Sequence, residues 1–264
     1  MIAQWLAGAN EWLIFGALMV LFVGAAEIGF QVAAHRRSAL DDAATTQSAT
    51  VQASVLGLLA LLLGFAFAMA VSRFDVRAQL VIDEANAIGT ALLRAQLLPD
   101  PQKRNAIRLL RSYIDIRLEF HEASGRSAAL DDIDARTDRM HDALWAEARA
   151  AAERDSHSVA VGLFIVSLNE MFDAASKQLA AVRNRVPIGI FAVLFFVAVI
   201  AVGFTGYGPG IAEARNLQVT LLVSLLIATV ILLIVDLDRS TSGIVKISPQ
   251  SLIDLKASTD RQPI

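Results

Sequence analysis

The sequence predicts an all-α membrane protein with four transmembrane helices, in which a long second helix extends into a water-exposed helical domain. Four apolar stretches, residues 12–34, 55–71, 187–206 and 217–235, predict the spans. Each is about long enough to cross a hydrocarbon core of roughly 30 Å. Between the second and third stretches, residues 73–185 hold sixteen of the 23 Lys and Arg and seventeen of the 26 Asp and Glu. This block of charge predicts one helical domain in water.

The composition supports a membrane protein and excludes several functions. The chain is 55% hydrophobic, above the apolar content of about 45–50% in soluble domains. Its net charge is -3, and its acidic and basic residues are interspersed. The sequence therefore predicts no basic face that could bind nucleic acid. The lack of cysteine excludes disulfides, thiolate metal sites and thiol nucleophiles. No phosphate-binding glycine loop, zinc spacing or triad signature occurs, so we expect no metal, no cofactor and no enzymatic activity.

The first apolar segment is predicted to be an uncleaved span. No Lys or Arg precedes it, and it is longer than the apolar region of a secretory signal. Arg36 and Arg37 at its end leave a second possibility, a segment that re-enters the membrane instead of crossing it. Glu27 lies deep in the segment, where a carboxylate usually faces a partner or water. The alternative for Glu27 is a position close to the lipid headgroups.

The second apolar segment is predicted to belong to a much longer helix. Neither a proline nor a glycine cluster follows it until Pro99. A helix from about residue 51 to residue 97 would be roughly 70 Å long, so about half of it would project from the bilayer as a stalk. The resulting domain boundaries are 1–72 for spans one and two, 73–186 for the helical domain, 187–238 for spans three and four, and 239–264 for a C-terminal tail.

Three amphipathic helices are predicted within the charged block. The first begins near Pro101 and carries an apolar stripe so wide that two neighbours are needed to cover it. The second follows a stop at Gly125, and the third covers residues 159–183 and leads directly into span three at Pro187. The stripe of the first helix consists of two lines, Ile107, Leu110, Ile114 and Leu118 on one and Leu109, Tyr113, Ile116 and Phe120 on the other.

The order of spans and charges predicts a topology. Four spans place both termini and the charged domain on one side, and a tight turn is predicted between spans three and four at residues 205–210, where three glycines and Pro209 occur. The side of the charged domain has the excess of basic residues near the span ends, which predicts that it is cytoplasmic. We therefore expect a multipass membrane protein. The basic residues are Arg73, Arg77, Arg183, Arg185, Arg239 and Lys246 on that side, and Arg36, Arg37 and Arg215 on the other.

Two groups of residues along the second helix are candidates for a functional site. Within the span, small and bulky residues share a face, which indicates either close helix packing or an apolar constriction that gates by dewetting; these are Leu61, Gly64, Phe65 and Ala68. At the start of the stalk, polar residues form either a solvated surface with intrahelical ion pairs or a charged vestibule. These are Arg73, Asp75, Arg77, Asp83, Glu84, Asn86 and Arg94. Arg73 and Arg77 would attract anions to such a vestibule.

Two stretches resemble a known family. They are LLALLLGFAFAMAVSRFDVRAQLVIDEANAIGTALLRAQLLPDP in the second helix and VDLDRSTSGIVKISPQSLIDL near the C-terminus. Both are similar to bacterial and plant membrane proteins that have a bestrophin-like domain, over most of residues 15–255. More distantly, Phe74 to Arg77 with Glu84 and Gly89 resembles the helix that follows the pore neck of true bestrophins, whose paired Trp is replaced here by Leu80 and Val81. The resemblance implies a pentameric anion channel with four spans and a cytoplasmic helical domain, and it leads us to expect a location in the bacterial inner (plasma) membrane.

Two functional hypotheses from different classes fit this architecture. The first is a homo-oligomeric channel in the lipid bilayer that passes small anions along an axis lined by the second span. The second is a membrane scaffold or sensor that does not conduct and whose cytoplasmic helices bind a partner protein. A continuous axial path in the oligomer would favour the channel, and a dry helix bundle would favour the scaffold.

Overall fold

The computed structural model describes residues 10–36, 42–123, 127–212, 216–239 and 245–261. Within these ranges the secondary structure is helical throughout, and no strand occurs. In chain order the helices are α1 (Glu11–Arg36), α2 (Asp42–Ala95), α3 (Gln102–Ala123), α4 (Ser127–Arg154), α5 (Val159–Arg183), α6 (Ile188–Ala212), α7 (Leu217–Arg239) and α8 (Gln250–Asp260).

The chain divides into two compact units. The membrane unit comprises Met1–Ser72 and Val186–Arg239, and the helical unit comprises Arg73–Arg185 and Ser240–Ile264. Four helices of the described chain are long and apolar enough to cross a membrane. The prediction of an all-α protein with four spans and a long second helix is therefore confirmed.

Helix α1 is one continuous helix of 26 residues, about 39 Å long at the usual rise. A re-entrant segment would need a break near its middle, and α1 has none. The helix packs mainly against α6 and also contacts α7 within the membrane unit. Phe22, Ala26 and Ala33 on its packed face are buried.

The contact between α1 and α6 depends on glycines that let the two backbones approach closely. A Cβ atom added at Gly206 would collide with the Ala26 carbonyl, and one added at Gly210 would lie 2.5 Å from the Phe30 carbonyl oxygen. Small residues serve the same purpose in many membrane helix pairs.

The predicted tight turn at residues 205–210 is wrong, because these residues lie within α6, which continues to Ala212 with Pro209 inside the helix. Membrane helices tolerate an internal proline because neighbouring groups satisfy the freed backbone, and here Gly206 and Gly210 serve packing against α1.

Helix α2 has 54 residues and starts earlier than the predicted residue 51. Its first turns are rich in Thr and Ser, which usually favour caps over helix interiors. Here the hydroxyls bond back to carbonyls one turn earlier, from Thr50 Oγ1 to Thr46 at 3.1 Å and from Ser54 Oγ to Thr50 at 2.9 Å. These bonds give the hydroxyls acceptors inside the helix, which begins at Asp42.

The helical unit has a core built from α2 after Ser72, α3, α4, α5 and α8. The wide stripe predicted for α3 is buried as expected at Ile107, Leu110, Tyr113, Ile114, Ile116 and Phe120, while Leu109 and Leu118 are partly buried. Leu144 and Ala148 of α4, Leu168 and Met171 of α5, and Leu252 of α8 complete the core. The predicted helix stop at Gly125 lies outside the described residues.

Helix α5 has the predicted bounds but does not lead directly into span three. Its N-cap is Ser158, whose hydroxyl accepts from the Val161 amide, and its C-cap is Asn184. A short non-helical link follows, and α6 begins at Ile188. The residue before a proline disfavours helical geometry, which explains why the helix does not continue to Pro187.

Candidate functional site

The four span candidates of α2 lie on one exposed face of the helix. They are Leu61, Gly64, Phe65 and Ala68, all classed as exposed, with 55% of Leu61 and 64% of Phe65 accessible. Nothing outside its own helix comes within 4 Å of a Cβ built at Gly64. The opposite face, with Leu59, Ala66 and Ala70, is buried. The structure therefore brings the four candidates together on a surface that the described chain leaves open.

Phe65 also borders an apolar groove between α2 and α6. The groove has a volume of about 420 Å³ and is lined by Leu62, Phe65, Ala66 and Met69 of α2 and Gly189, Ile190, Val193 and Leu194 of α6. The benzyl group of Phe65 thus stands at the edge between this groove and the open face of α2.

The candidate charges at the start of the stalk separate into two groups. Arg77 is 3% exposed, and it donates from Nε to the Ala181 carbonyl and from Nη2 to the Asn184 carbonyl, both at 3.0 Å. Arg73 donates from Nη1 to the Asn184 carbonyl at 3.0 Å and to its side-chain oxygen at 2.8 Å. Both arginines therefore cap the C-terminus of α5, where cations are favoured by the helix dipole.

The exposed candidates of the stalk are acidic or neutral. Asp75, Asp83 and Asn86 are exposed, and Gln79 donates from Nε2 to Asp83 Oδ1 at 2.9 Å. Arg94 donates from Nη1 to the Leu163 carbonyl at 3.0 Å, which joins α2 to α5. The vestibule roles of these residues and of the two arginines remain predictions.

Glu84 belongs to a buried polar network that the sequence analysis did not find. Its carboxylate, fully buried, accepts from Arg117 Nε at 2.5 Å. Arg117 Nη2 donates to Gln178 Oε1 at 2.5 Å, and Gln178 Nε2 lies 3.4 Å from His121 Nε2. The Arg117 guanidinium also stacks 4.2 Å from the Phe120 ring centroid. The missed signal is that Arg117 stands inside the apolar stripe of α3, where a charge needs a buried partner.

A second polar contact in the same core involves Tyr113 and His141. Their side chains meet at 3.2 Å, and the His141 ring lies 4.0 Å from the Phe172 ring centroid. Burial raises the pKa of Tyr113 above its ordinary value, and the Glu84 charge adds to the rise. Burial lowers the pKa of His141 to about 4, although Asp138 and Asp142 oppose the shift. Both side chains are therefore held neutral at neutral pH.

Glu27 faces the start of α7 instead of lipid alone. With Asn216, Leu217 and Thr220 it lines a small cavity of about 30 Å³, and Gln31 donates to its carboxylate at 3.2 Å. Among the described residues, no group of three or more potential metal ligands comes together.

Comparison with known proteins agrees with this architecture. A sequence model of the bestrophin-like domain matches residues 17–252. No curated protein matches the chain by sequence. The crystal structure of a bacterial bestrophin homologue from Klebsiella pneumoniae, phased with zinc, has 15% identity and a TM-score of 0.65 over 96% of this chain and 100% of that chain. A single-residue variant of a bestrophin homologue from the same organism has 14% identity and a TM-score of 0.68 over 96% of both chains.

At 14% and 15% identity, the two crystal structures establish the fold of the chain. The family is established by the sequence model, which matches most of the chain. The chain therefore belongs to the bestrophin-like family.

Proposed function

We propose that the protein is a homo-oligomeric channel that passes small anions, with α2 lining its axis. The observation that carries the proposal is how little of α2 its own chain covers. The most apolar window of α2 is 17% buried, against 22% for that of α1 and 33% for the windows of the third and fourth spans. Within the span, the face of α2 with Leu61, Gly64, Phe65 and Ala68 is open, while the face with Leu59, Ala66 and Ala70 is buried.

The exposed face of α2 in the membrane unit is best explained by contact with other copies of the chain. Its open face combines Leu61 and Phe65 with the small residues Gly64 and Ala68. A ring of such faces around an axis would make a narrow apolar constriction, which controls conduction by wetting and dewetting. The family resemblance supports five copies and small anions as the permeant ions.

The charged residues near the span do not all favour anions, so the ion selectivity has to be measured. The guanidinium groups of Arg73 and Arg77 bind the end of α5, whereas Asp75 and Asp83 are exposed. If these carboxylates face the path, they oppose anion entry. Asp75→Asn combined with Asp83→Asn should then increase the preference for anions, measured as the reversal potential in a planar bilayer under a salt gradient. A cation-selective wild type would contradict the anion part of the proposal and retain the channel.

The constriction is tested by a matched pair of phenylalanine substitutions. Phe65 on α2 and Phe196 on α6 are almost equally exposed, at 64% and 66%. Phe65→Ala should raise ion flux into liposomes, because removing the bulky ring lowers the dewetting barrier. Phe196→Ala should leave the flux unchanged. Equal effects of the two substitutions, or no flux from a folded wild-type oligomer, would contradict the pore role of α2.

The cellular location is part of the same proposal. We place the protein in the bacterial inner membrane with the helical unit in the cytoplasm, as the basic residues near the spans favour. The chain has no cysteine, so His157→Cys introduces one reactive thiol at an exposed site. A membrane-impermeant thiol reagent should label this variant only after the cells are opened, and labelling of intact cells would reverse the topology.

A scaffold or sensor is the second candidate. It is favoured by an apolar line at the start of α5, where Val159, Leu163 and Val166 are exposed at helical spacing. Contiguous apolar surface on a domain in water usually marks a protein contact. A stable oligomer that conducts no ions would favour the scaffold or sensor over the channel.

A further inference from the structure

Four side chains form a continuous polar chain through the core of the helical unit. They are Glu84 of α2, Arg117 and His121 of α3, and Gln178 of α5, which we call the buried polar chain. Glu84, Arg117 and Gln178 are almost fully buried, and His121 is partly buried. The successive contacts measure 2.5 Å, 2.5 Å and 3.4 Å. The chain thus joins three helices through groups that have little access to water.

Hydrogen-bond chemistry fixes the direction of every contact in this chain. A guanidinium has donors only, so Arg117 donates to the Glu84 carboxylate and to the Gln178 side-chain oxygen. The amide nitrogen of Gln178 must then face His121, and it too is a donor. His121 Nε2 is left as the acceptor, which requires a neutral ring with its proton on Nδ1. The tautomer of His121 is therefore set by Arg117 through Gln178.

Protonation of His121 at Nε2 turns the acceptor of the Gln178 amide into a donor. The protonated ring would present an N–H to the amide N–H of Gln178, and two donors cannot bond each other. Gln178 can turn its oxygen toward His121, but its amide nitrogen then faces the Arg117 guanidinium. Either the protonated His121 Nε2 has no acceptor on Gln178, or Arg117 loses the Gln178 oxygen and retains Glu84 alone, so the two arrangements exclude one another.

We propose that the buried polar chain is an acid-sensitive switch, in which protonation of His121 turns the Gln178 amide and releases Arg117 from α5. The proposal concerns the helical unit alone and does not depend on ion conduction. Its ligand is the proton, bound at one defined nitrogen.

The charges around His121 agree with this geometry. Its own helix presents Arg117 one turn away, and α5 presents the uncharged Gln178. The carboxylate of Glu84, from α2, is already paired with Arg117. Burial and the Arg117 charge lower the pKa of His121 to about 4.

Other charged groups on neighbouring helices have separate partners or act on another histidine. Asp138 and Asp142 of α4 act on His141. The ion pair of Arg136 with Glu119 and that of Lys256 of α8 with Asp115 are solvent-accessible. Within the described residues, Arg117 is therefore the charge that opposes a proton on His121.

The sign of the pH dependence follows from proton binding in the two states. In the unfolded chain His121 titrates near its ordinary pKa of about 6.5, whereas in the folded unit the pKa is about 4. Between these values the unfolded chain binds more protons. The stabilising contribution of neutral His121 is therefore fully present above about pH 6.5 and is lost as the pH falls toward 4.

Thermal unfolding of the full chain in detergent tests the switch. Trp145 on α4 lies beside Phe172, with 6.5 Å between the ring centroids. With Trp5 and Trp12 replaced by Phe in all the proteins compared, the fluorescence of Trp145 reports on the helical unit. His121→Gln keeps an acceptor for Gln178 but cannot take a proton in this range. His157→Gln is the matched control, because His157 is exposed. His141, whose pKa burial also lowers to about 4, is present in all these proteins, so the test compares each variant with wild type at the same pH.

We expect the unfolding temperature of wild type and of His157→Gln to fall between pH 6.5 and pH 4, and that of His121→Gln to fall much less. Gln178→Glu supplies a carboxylate that accepts from both Arg117 and a protonated His121. The unfolding temperature of Gln178→Glu should therefore rise relative to that of wild type as the pH falls through 6.5. Gln178→Glu also keeps the test decisive if His121→Gln folds poorly. A wild-type acid response in either variant would overturn the proposal.

Discussion

Gly206 is the position where one added methyl group should most disturb the membrane unit. A Cβ there would meet the Ala26 carbonyl carbon at 2.7 Å and the Ala26 Cα at 3.0 Å, whereas carbon atoms in favourable contact are about 3.5–4.0 Å apart. The obstacle is the backbone of α1, which cannot move aside as a flexible side chain can. Gly206→Ala therefore requires α1 and α6 to separate along their shared face.

The expected magnitude comes from two opposing effects. Overpacking a tight contact costs about 1–3 kcal/mol, occasionally more, and a rigid backbone obstacle places Gly206→Ala at the upper end. Alanine recovers about 1 kcal/mol through helix propensity. Gly203 is the matched control on the same helix, because its added Cβ would lie 3.6 Å from the Ala25 carbonyl oxygen, an ordinary contact. Gly203→Ala should thus be neutral or slightly stabilising.

Thermal unfolding in detergent measures the difference between the two variants. For a chain of this size, about 1 kcal/mol corresponds to roughly 2–4 °C in melting temperature. Gly206→Ala should unfold several degrees below wild type, and Gly203→Ala at or above it. Equal melting temperatures for the two variants would refute the reasoning that backbone contact at Gly206 holds α1 against α6.

Two further predictions concern buried arginines of the helical unit. Arg77→Met should lower the free energy of unfolding by about 1–3 kcal/mol, because the carbonyls that Arg77 binds at the end of α5 lose their donor. Arg73→Met should lower it less, since Arg73 is more exposed. Urea unfolding in detergent measures both changes. Arg117→Met should cost about 3–5 kcal/mol by leaving Glu84 unpaired, and adding Glu84→Gln should restore part of the loss. A double variant no more stable than Arg117→Met would show that the ion pair is not the source of the cost.

The fold could be predicted from the sequence because lipid and helix periodicity each leave a strong pattern. Four apolar stretches gave the four spans, and the apolar lines of α3 identified buried residues such as Leu110 and Tyr113. The bounds of α5 also agree with the prediction. Such patterns depend on each helix separately, so they can be recognised without knowing which helices pack together.

Features that depend on a particular partner were beyond the sequence. The glycines around Pro209 have the usual composition of a turn, and only the nearness of α1 to Gly206 and Gly210 shows that these two serve helix packing. In the same way, the sequence places Arg77 among the charges of the stalk, and only the structure shows that it donates to a carbonyl at the end of α5. The type and spacing of residues in the sequence do not reveal which distant backbone group a side chain contacts.

The same distinction separates the two halves of the candidate site. Leu61 and Phe65 are exposed because nothing in the described chain covers them, and this favours a role in contacts that a single copy cannot make. Glu84 lies on the same helix but is committed to Arg117 within its own chain. A substitution at Phe65 should therefore change conduction or assembly while the fold persists, whereas a substitution at Glu84 should act first on the stability of the helical unit. Measuring flux and unfolding on both variants separates the residues that serve the oligomer from those that hold the monomer together.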